Sequence, residues 1–249
     1  MNSIRRLKAF ASVGVLIAFI GMTGCSRRVP SFTVVLVDPS ASVTARARAD
    51  EFAAVGAMIP KMQRGDSLIV IPITNNAMAD IEGRILRLHA PERRETYDAD
   101  LRRFRKQAAN QFAEFSQAIL CCPGTHTDIL GSLDVARQEF TGASPRSRLN
   151  LIVLSDFIED DGTYHFSTAA ELIDTGFAAR FGEVLRKERR FALTNVKVHL
   201  GALESNEYRR LSPDREAAIR AFWSAYLSSP EKAVEASLDG SVVPANPNP

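Results

Sequence analysis

The sequence predicts an α/β fold, namely an open, mainly parallel β-sheet with helices on both faces. Short runs of Val, Ile and Leu are typical of strands buried on both faces, and they occur at residues 32–37, 67–73, 149–154 and 196–200. Segments with apolar residues at helical spacing separate these runs. This alternation of strands and helices favours a parallel sheet whose connections are helical.

The first half of the chain predicts two buried strands, a helix between them and an edge strand. The strand at 32–37 is followed by a helix at 44–59, which Pro60 is expected to end or kink. The strand at 67–73 comes after a Gly-Asp turn. Residues 81–88 form a weaker apolar run with arginines and a glycine, which is typical of an edge strand.

The longest predicted helix covers residues 98–120. It has one apolar stripe of six side chains, which are Leu101, Phe104, Ala108, Phe112, Phe115 and Ile119. A polar loop follows, and a second helix is predicted at 128–140. Both helices therefore lie between the second and third buried strands in the sequence.

Two helices are predicted in the last third of the chain. Thr168 and Glu171 have the spacing of a capping box, so a helix is expected to begin there and to continue, after a break near Gly176, to about residue 189. Ser212 and Pro213 are a typical N-cap and first helical residue. The final helix is expected to extend to about residue 227.

The chain begins with the features of a secretory signal. Residues 1–24 contain three basic residues and then an apolar run that is short for a membrane span. Residues 22–25, Met-Thr-Gly-Cys, resemble a bacterial lipobox, which implies that Cys25 is lipidated and becomes the mature N-terminus. Ser26 is then compatible with an outer-membrane anchor facing the periplasm. An ordinary cleaved signal with an incidental cysteine is the alternative.

The remaining chain is expected to hold one domain. Residues 25–31 are predicted to be a tether, residues 32–228 the domain, and residues 229–249 a disordered tail of low hydrophobicity. Loss of the three basic signal residues changes the formal net charge from +2 to −1, which does not favour nucleic acid as a partner. Cys121 and Cys122 are adjacent, without metal-ligand spacing; a vicinal disulfide, an intermolecular bridge and two half-buried thiols all stay open.

Oxygen-bearing side chains follow the ends of two buried strands. Asp38, Ser40 and Ser42 come after the first strand, and Asp156 follows the strand at 149–154. Ligands in open α/β sheets bind beyond the carboxyl ends of the strands, so these residues and Thr127, from the polar loop before the helix at 128–140, are expected to converge. Hydroxyl and carboxylate oxygens suit a hard cation such as Mg²⁺ or Mn²⁺.

This arrangement resembles the metal-ion-dependent adhesion site of a von Willebrand factor type A domain. The resemblance covers roughly residues 31–227 and implies a Rossmann-like sheet. It also implies a cation (Mg²⁺, or Mn²⁺ or Ca²⁺) that is held by Asp38, Ser40, Ser42, Thr127 and Asp156. The family threonine usually stands six positions before an aliphatic residue, which selects Thr127 through Leu133; Thr125 is the fallback. The family often has Gly after the last aspartate, where this chain has Phe157.

The resemblance implies a protein-binding module. A Glu or Asp of an envelope or surface protein would complete the shell of the cation. Thr125 and His126 could lie around the ligands, and a surface histidine without a role in the site is the other reading of His126. Glu159, Asp160 and Asp161 are interpreted as a solvated turn, although they could surround the site or hold a second cation. No separate catalytic residue is predicted.

Three alternatives stay open at the level of sequence. Asp38 could cap the following helix while the serines satisfy backbone groups, in which case no metal is needed. A metal could serve only to stabilise a structural or assembly component. A metal-dependent phosphoesterase is the third reading, although the phosphatase pattern with a second aspartate two residues after the first has Ser40 there instead.

Overall fold

A computed structural model describes residues 28–79, 84–93 and 97–228. Five strands form one sheet: β1 (Ser31–Val37), β2 (Ser67–Pro72), β3 (Leu86–His89), β4 (Arg148–Ser155) and β5 (Val196–Ala202). Their spatial order is β3-β2-β1-β4-β5. The pairs β1–β2, β1–β4 and β4–β5 are parallel, whereas the short edge strand β3 is antiparallel to β2. The prediction of an open, mainly parallel sheet is confirmed.

Helices cover both faces of this sheet. They are α1 (Ala45–Gly56), α2 (Asp98–Leu120), α3 (Ile129–Thr141), α4 (Thr175–Glu188) and α5 (Pro213–Leu227). Alternate residues of β1 belong to two separate cores, since Val34 and Leu36 pack with α3, α4 and α5 while Val35 and Val37 pack with α1 and α2. Within the described ranges, no helix has the length and apolarity that a membrane span requires.

The start of α4 differs from the prediction. Residues 168–174 form turns rather than a helix, and α4 begins at Thr175 with Asp174 as its N-cap, which accepts a hydrogen bond from the Phe177 amide. Arg215 donates to the carbonyl oxygens of Phe166 and Ala169, and the second of these is an acceptor that a helix starting at 168 would use. The predicted helix at Thr168 was therefore wrong.

Smaller differences concern helix and strand ends. Helix α1 ends at Gly56, and Pro60 lies within a separate 3₁₀ turn, Ile59–Lys61. The described part of the predicted edge strand forms β3 only from Leu86 onward. Cys121 and Cys122 are both exposed free thiols at the end of α2, which corrects the half-buried alternative. The signal segment, Cys25, most of the tether and the tail at 229–249 lie outside the described residues.

Close packing of α4 against α5 positions the end of β4. A Cβ atom on Gly182 would stand 2.5 Å from the carbonyl oxygen of Phe222, so only glycine allows the two helices to approach this closely. This approach seats Trp223, which is 1% exposed, against the residue that follows Asp156. The Trp223 indole N–H donates to the Phe157 carbonyl at 2.8 Å.

Candidate metal centre

Asp38 lies at the carboxyl end of β1 and is completely buried. Its Oδ1 atom accepts a hydrogen bond from the Ser40 amide at 3.0 Å, and its Oδ2 atom accepts one from the Ser155 hydroxyl at 2.6 Å. Its own amide donates to Glu51 Oε1 at 2.8 Å. The carboxylate is therefore fixed between the β1 loop and the end of β4.

Ser40, Ser42 and Asp156 form a continuous chain of side-chain contacts. The hydroxyl oxygens of Ser40 and Ser42 are 2.9 Å apart, and the Ser42 hydroxyl donates to Asp156 Oδ2 at 3.2 Å. Asp156 also accepts a hydrogen bond from the Ser205 side chain. The structure thus brings four of the five predicted ligands together at the carboxyl ends of β1 and β4.

Thr127 is attached to the same edge through its backbone. Its amide donates to the Asp160 carbonyl at 2.9 Å, and the Asp160 amide donates back at 3.0 Å. The preceding loop also holds the β1 loop, because the Ala41 amide donates to the Gly124 carbonyl at 3.0 Å. Thr127 is buried, whereas Thr125 and His126 are exposed.

The two aspartates carry the electrostatic signature of a site that lacks positive charge. Burial raises the pKa of Asp38, and burial together with the Asp38 charge raises the pKa of Asp156 to about 7. No ion pair joins either carboxylate to a cationic side chain in the described ranges. The nearby Arg48 donates instead to the Ser40 and Val43 carbonyls. A divalent cation fits this donor set, since it supplies the missing charge to oxygen ligands.

Three neighbours of the site were missed in the sequence. Ser155 and Ser205 hydrogen-bond to the two aspartates, and Glu51 lies behind Asp38 with its pKa well above the usual range because of burial and the Asp38 charge. Ser205 was predictable, since it follows β5, whose carboxyl end lies at the same sheet edge. The spacing within α1 does not distinguish Glu51 from an exposed glutamate.

The structure contradicts the alternative in which Asp38 caps the next helix. Helix α1 is capped by Thr44, whose hydroxyl oxygen accepts from the Ala47 amide at 3.2 Å.

The interpretation of 159–161 as a solvated turn was wrong for Glu159, which is completely buried. Asp160 and Asp161 are partly exposed, and Asp160 Oδ2 lies 3.1 Å from His126 Nδ1, from which it accepts a hydrogen bond when that nitrogen carries the proton.

Phe157 takes the conformation for which glycine is suited. Its φ of 61° lies in the left-handed region, where glycine is the residue without a steric penalty. Trp223 holds it there through the hydrogen bond to its carbonyl and an edge-to-face ring contact with centroids 6.2 Å apart. Tertiary packing therefore compensates for the strain of a side chain at this position.

No protein-family model matches the chain, and no curated protein matches it. Among solved structures, the manganese-loaded TRAP protein of Plasmodium vivax is 13% identical over 77% of this chain and 62% of its own, with a TM-score of 0.43. BatB of Bacteroides thetaiotaomicron is 12% identical over 68% and 65%, with a TM-score of 0.39. A von Willebrand factor type A protein of Catenulispora acidiphila is 17% identical over 79% and 42%, with a TM-score of 0.37.

This chain spans less than two thirds of the length of each of these three structures. Similarity at this level concerns the fold and carries no information about function. The sheet order and the helices on both faces make the architecture von Willebrand factor type A-like, as the resemblance implied.

The pKa of Asp156 predicts how the stability of the cation-free protein depends on pH. Its value of about 7 lies above the unfolded value of 3.8, so the folded state binds more protons between these limits. In EDTA, raising the pH from 5 to 8 is therefore expected to lower the free energy of unfolding by on the order of 3 kcal/mol. Urea denaturation at a series of pH values measures this, and Asp156→Asn should make the loss of stability between pH 5 and pH 8 smaller, while other buried carboxyl groups such as Glu51 still contribute to it. A flat wild-type profile would contradict the prediction.

Proposed function

We propose that this protein is a divalent-cation-dependent protein-binding module of a bacterial envelope lipoprotein. Asp38, Ser40, Ser42, Thr127 and Asp156 would hold the cation, and an acidic side chain of a partner protein would complete its shell. One observation carries the proposal: two buried carboxylates at adjacent strand ends are linked through the hydroxyls of Ser40 and Ser42, with no cationic side chain paired to them in the described ranges.

The chemistry of the donors supports binding rather than catalysis. Three hydroxyls are neutral, and the two carboxylates only balance the charge of a divalent ion, so the ion would act as a Lewis acid toward an incoming anionic ligand. Both aspartates would be engaged with the cation, which leaves neither of them free as a general base. Mg²⁺ and Mn²⁺ suit this set of small oxygen ligands, and Ca²⁺ is a third candidate.

The surroundings support a fixed site with access from one side. Ser155 and Ser205 orient the two aspartates. Backbone hydrogen bonds connect the loop before α3 to the loops that follow β1 and β4. Ser42 is only partly buried, and the side chains of Thr125 and His126 are exposed on the loop that carries Thr127. A partner carboxylate would approach from this side.

The cell envelope is proposed from the sequence alone. The signal segment and the lipobox-like residues before Cys25 support a lipid anchor, and Ser26 supports the outer membrane with the domain facing the periplasm. The partner would then be an envelope or surface protein. Mass spectrometry of the mature protein tests the lipid anchor, because the acyl chains should be present on Cys25 and absent in Cys25→Ser.

Capture of partners with and without cation tests the function. The purified protein would be immobilised and exposed to envelope extracts in Mg²⁺ or in EDTA, together with Asp38→Ala and the control Asp50→Ala, which alters an exposed carboxylate of α1. We expect the same partner to be retained by wild type and by the control in Mg²⁺ only. Asp38→Ala should retain none.

The melting temperature in EDTA separates this function from a purely stabilising metal. A folded protein in EDTA that no longer captures its partner supports the proposal. Loss of the folded state in EDTA would instead indicate a structural cation. Capture that persists in EDTA or in Asp38→Ala would contradict a cation-dependent mechanism.

A further inference from the structure

A second group of carboxylates lies behind the loop that carries Thr127. Asp128, Glu159 and Asp161 each offer an oxygen, and these oxygens lie within 4.8 Å of one another. Asp128 and Glu159 are buried, while Asp161 is half-buried and gives the group a side open to solvent. None of the three belongs to the candidate centre formed around Asp38 and Asp156.

Glu159 has one oxygen with a partner and one without. Its Oε2 atom accepts from the amides of Ile129 and Leu130, at 3.0 and 3.2 Å, at the start of α3. Its Oε1 atom is buried and has no hydrogen-bond partner among the described residues. A buried carboxylate oxygen without a partner is costly, so this oxygen indicates a ligand between the three acids.

Backbone amides fix the other two carboxylates in place. Asp128 accepts from the Gly131 amide at 2.6 Å and from the Ala77 amide at 3.0 Å. Asp161 accepts from the amides of Thr163 and Tyr164, at 2.7 and 2.8 Å, through its Oδ1 atom. These hydrogen bonds hold the oxygens at their positions without neutralising their charge.

Among the described side chains, no cation is paired with these three acids. Arg189 is close enough to influence Asp128 electrostatically, but its guanidinium donates to Asp134 at 2.7 Å. Three carboxylates thus share a partly buried space without an ion pair. Buried charges of one sign are normally paired or bound to a metal ion.

The geometry points to a second divalent-cation site, and we infer that Asp128, Glu159 and Asp161 bind Ca²⁺. The donors are all oxygens, which excludes a preference for soft metals. Ca²⁺ accepts carboxylate ligands in irregular geometry, whereas Mg²⁺ demands a nearly ideal octahedron. Backbone amides already fix Asp128 and Asp161, so these carboxylates suit the more tolerant Ca²⁺.

This site would stabilise the loops of the candidate centre. Asp128 follows Thr127 in the chain, and Asp160, between Glu159 and Asp161, forms both backbone hydrogen bonds to Thr127. A cation bound here would attach the start of α3 to the loop after β4, and so fix Thr127 relative to Asp156. The inference stands on its own residues and does not depend on the proposed function.

Calcium titration of the purified full chain, stripped with EDTA, tests the inference by calorimetry. Asp38→Ala serves as the background because it removes the first centre. We expect this variant to bind one Ca²⁺, and the double variant Asp38→Ala/Asp161→Asn to bind it at least tenfold more weakly. Asparagine keeps an oxygen for the Thr163 and Tyr164 amides, and Asp161 is half-buried, so the fold should be retained.

Asp174→Asn in the same Asp38→Ala background is the matched control, since it makes the same exchange at an exposed helix cap. Equal Ca²⁺ affinity with and without Asp161→Asn would overturn the inference. Absence of Ca²⁺ binding in folded Asp38→Ala would overturn it as well. The buried Glu159 carboxyl would then be neutralised by a proton instead of a cation. A wrong assignment of the first centre would show in a different measurement, because Asp38→Ala would then bind Mn²⁺ with the same affinity as wild type.

Discussion

Replacing Asp38 with alanine is expected to weaken the binding of Mg²⁺ and Mn²⁺ at least a hundredfold. Loss of a group that only orients a metal ligand typically costs about 10–100-fold in affinity, and Asp38 is proposed as a ligand itself. Its carboxylate is completely buried and fixed by Ser40 and Ser155, so no solvent-exposed group can take its place without rearrangement. Isothermal titration calorimetry of the EDTA-stripped protein measures the change.

The same substitution should not unfold the cation-free protein. Asp38 is a desolvated charge that raises the pKa of both Asp156 and Glu51, so its removal relieves repulsion inside the fold. Asp50→Ala is the control, because Asp50 is exposed and forms a surface ion pair with Arg46 at 3.7 Å. A folded Asp38→Ala protein with wild-type cation affinity would show that the ligands are assigned wrongly.

Replacing Trp223 with alanine is expected to lower the free energy of unfolding by about 3–5 kcal/mol, the usual cost of truncating a large buried aromatic side chain. Trp223 is 1% exposed and contacts the rings of Phe157, Phe166, Phe222 and Tyr226. For a domain of this size, that loss corresponds to a decrease in melting temperature of roughly 10 °C. Differential scanning calorimetry in EDTA gives the value.

Trp223→Ala should also weaken cation binding, because Phe157 would lose the hydrogen bond that holds it at positive φ beside Asp156. Val184→Ala is the control, since Val184 is an exposed apolar residue of α4 and its truncation should change stability by only about 0.5 kcal/mol. A Trp223→Ala protein that melts within 2 °C of wild type, on the order of 1 kcal/mol, would contradict this account of α5.

Most secondary structure was predictable because its signals are local. The apolar runs that form β1, β2, β4 and β5 and the stripe of α2 depend only on neighbouring residues, and Asp98–Leu120 has the predicted bounds. The helix predicted at Thr168 failed for a non-local reason. Arg215, which is 46 residues from Ala169 in the sequence, takes the carbonyl oxygen that the helix would have used.

The candidate centre divides in the same way. Asp38 and Asp156 were predictable because each follows a buried strand, and parallel strands place their carboxyl ends at one edge. The hydrogen bond between Ser42 and Asp156 joins residues that are 114 positions apart. It could not be predicted without the pairing register of β1 and β4. Thr127 was selected by a family spacing, and the structure adds that it is buried while Thr125 is not.

The strands, the order of the helices between them and the two strand-end aspartates could be predicted from the residues, since they follow from periodicity and chain direction. Which acids are buried depends instead on how distant segments pack. Glu51 and Glu159 have no local pattern that separates them from exposed glutamates, yet both are desolvated by residues distant in the sequence. Desolvation depends on everything that packs around a group, and that is a property of the fold rather than of a segment.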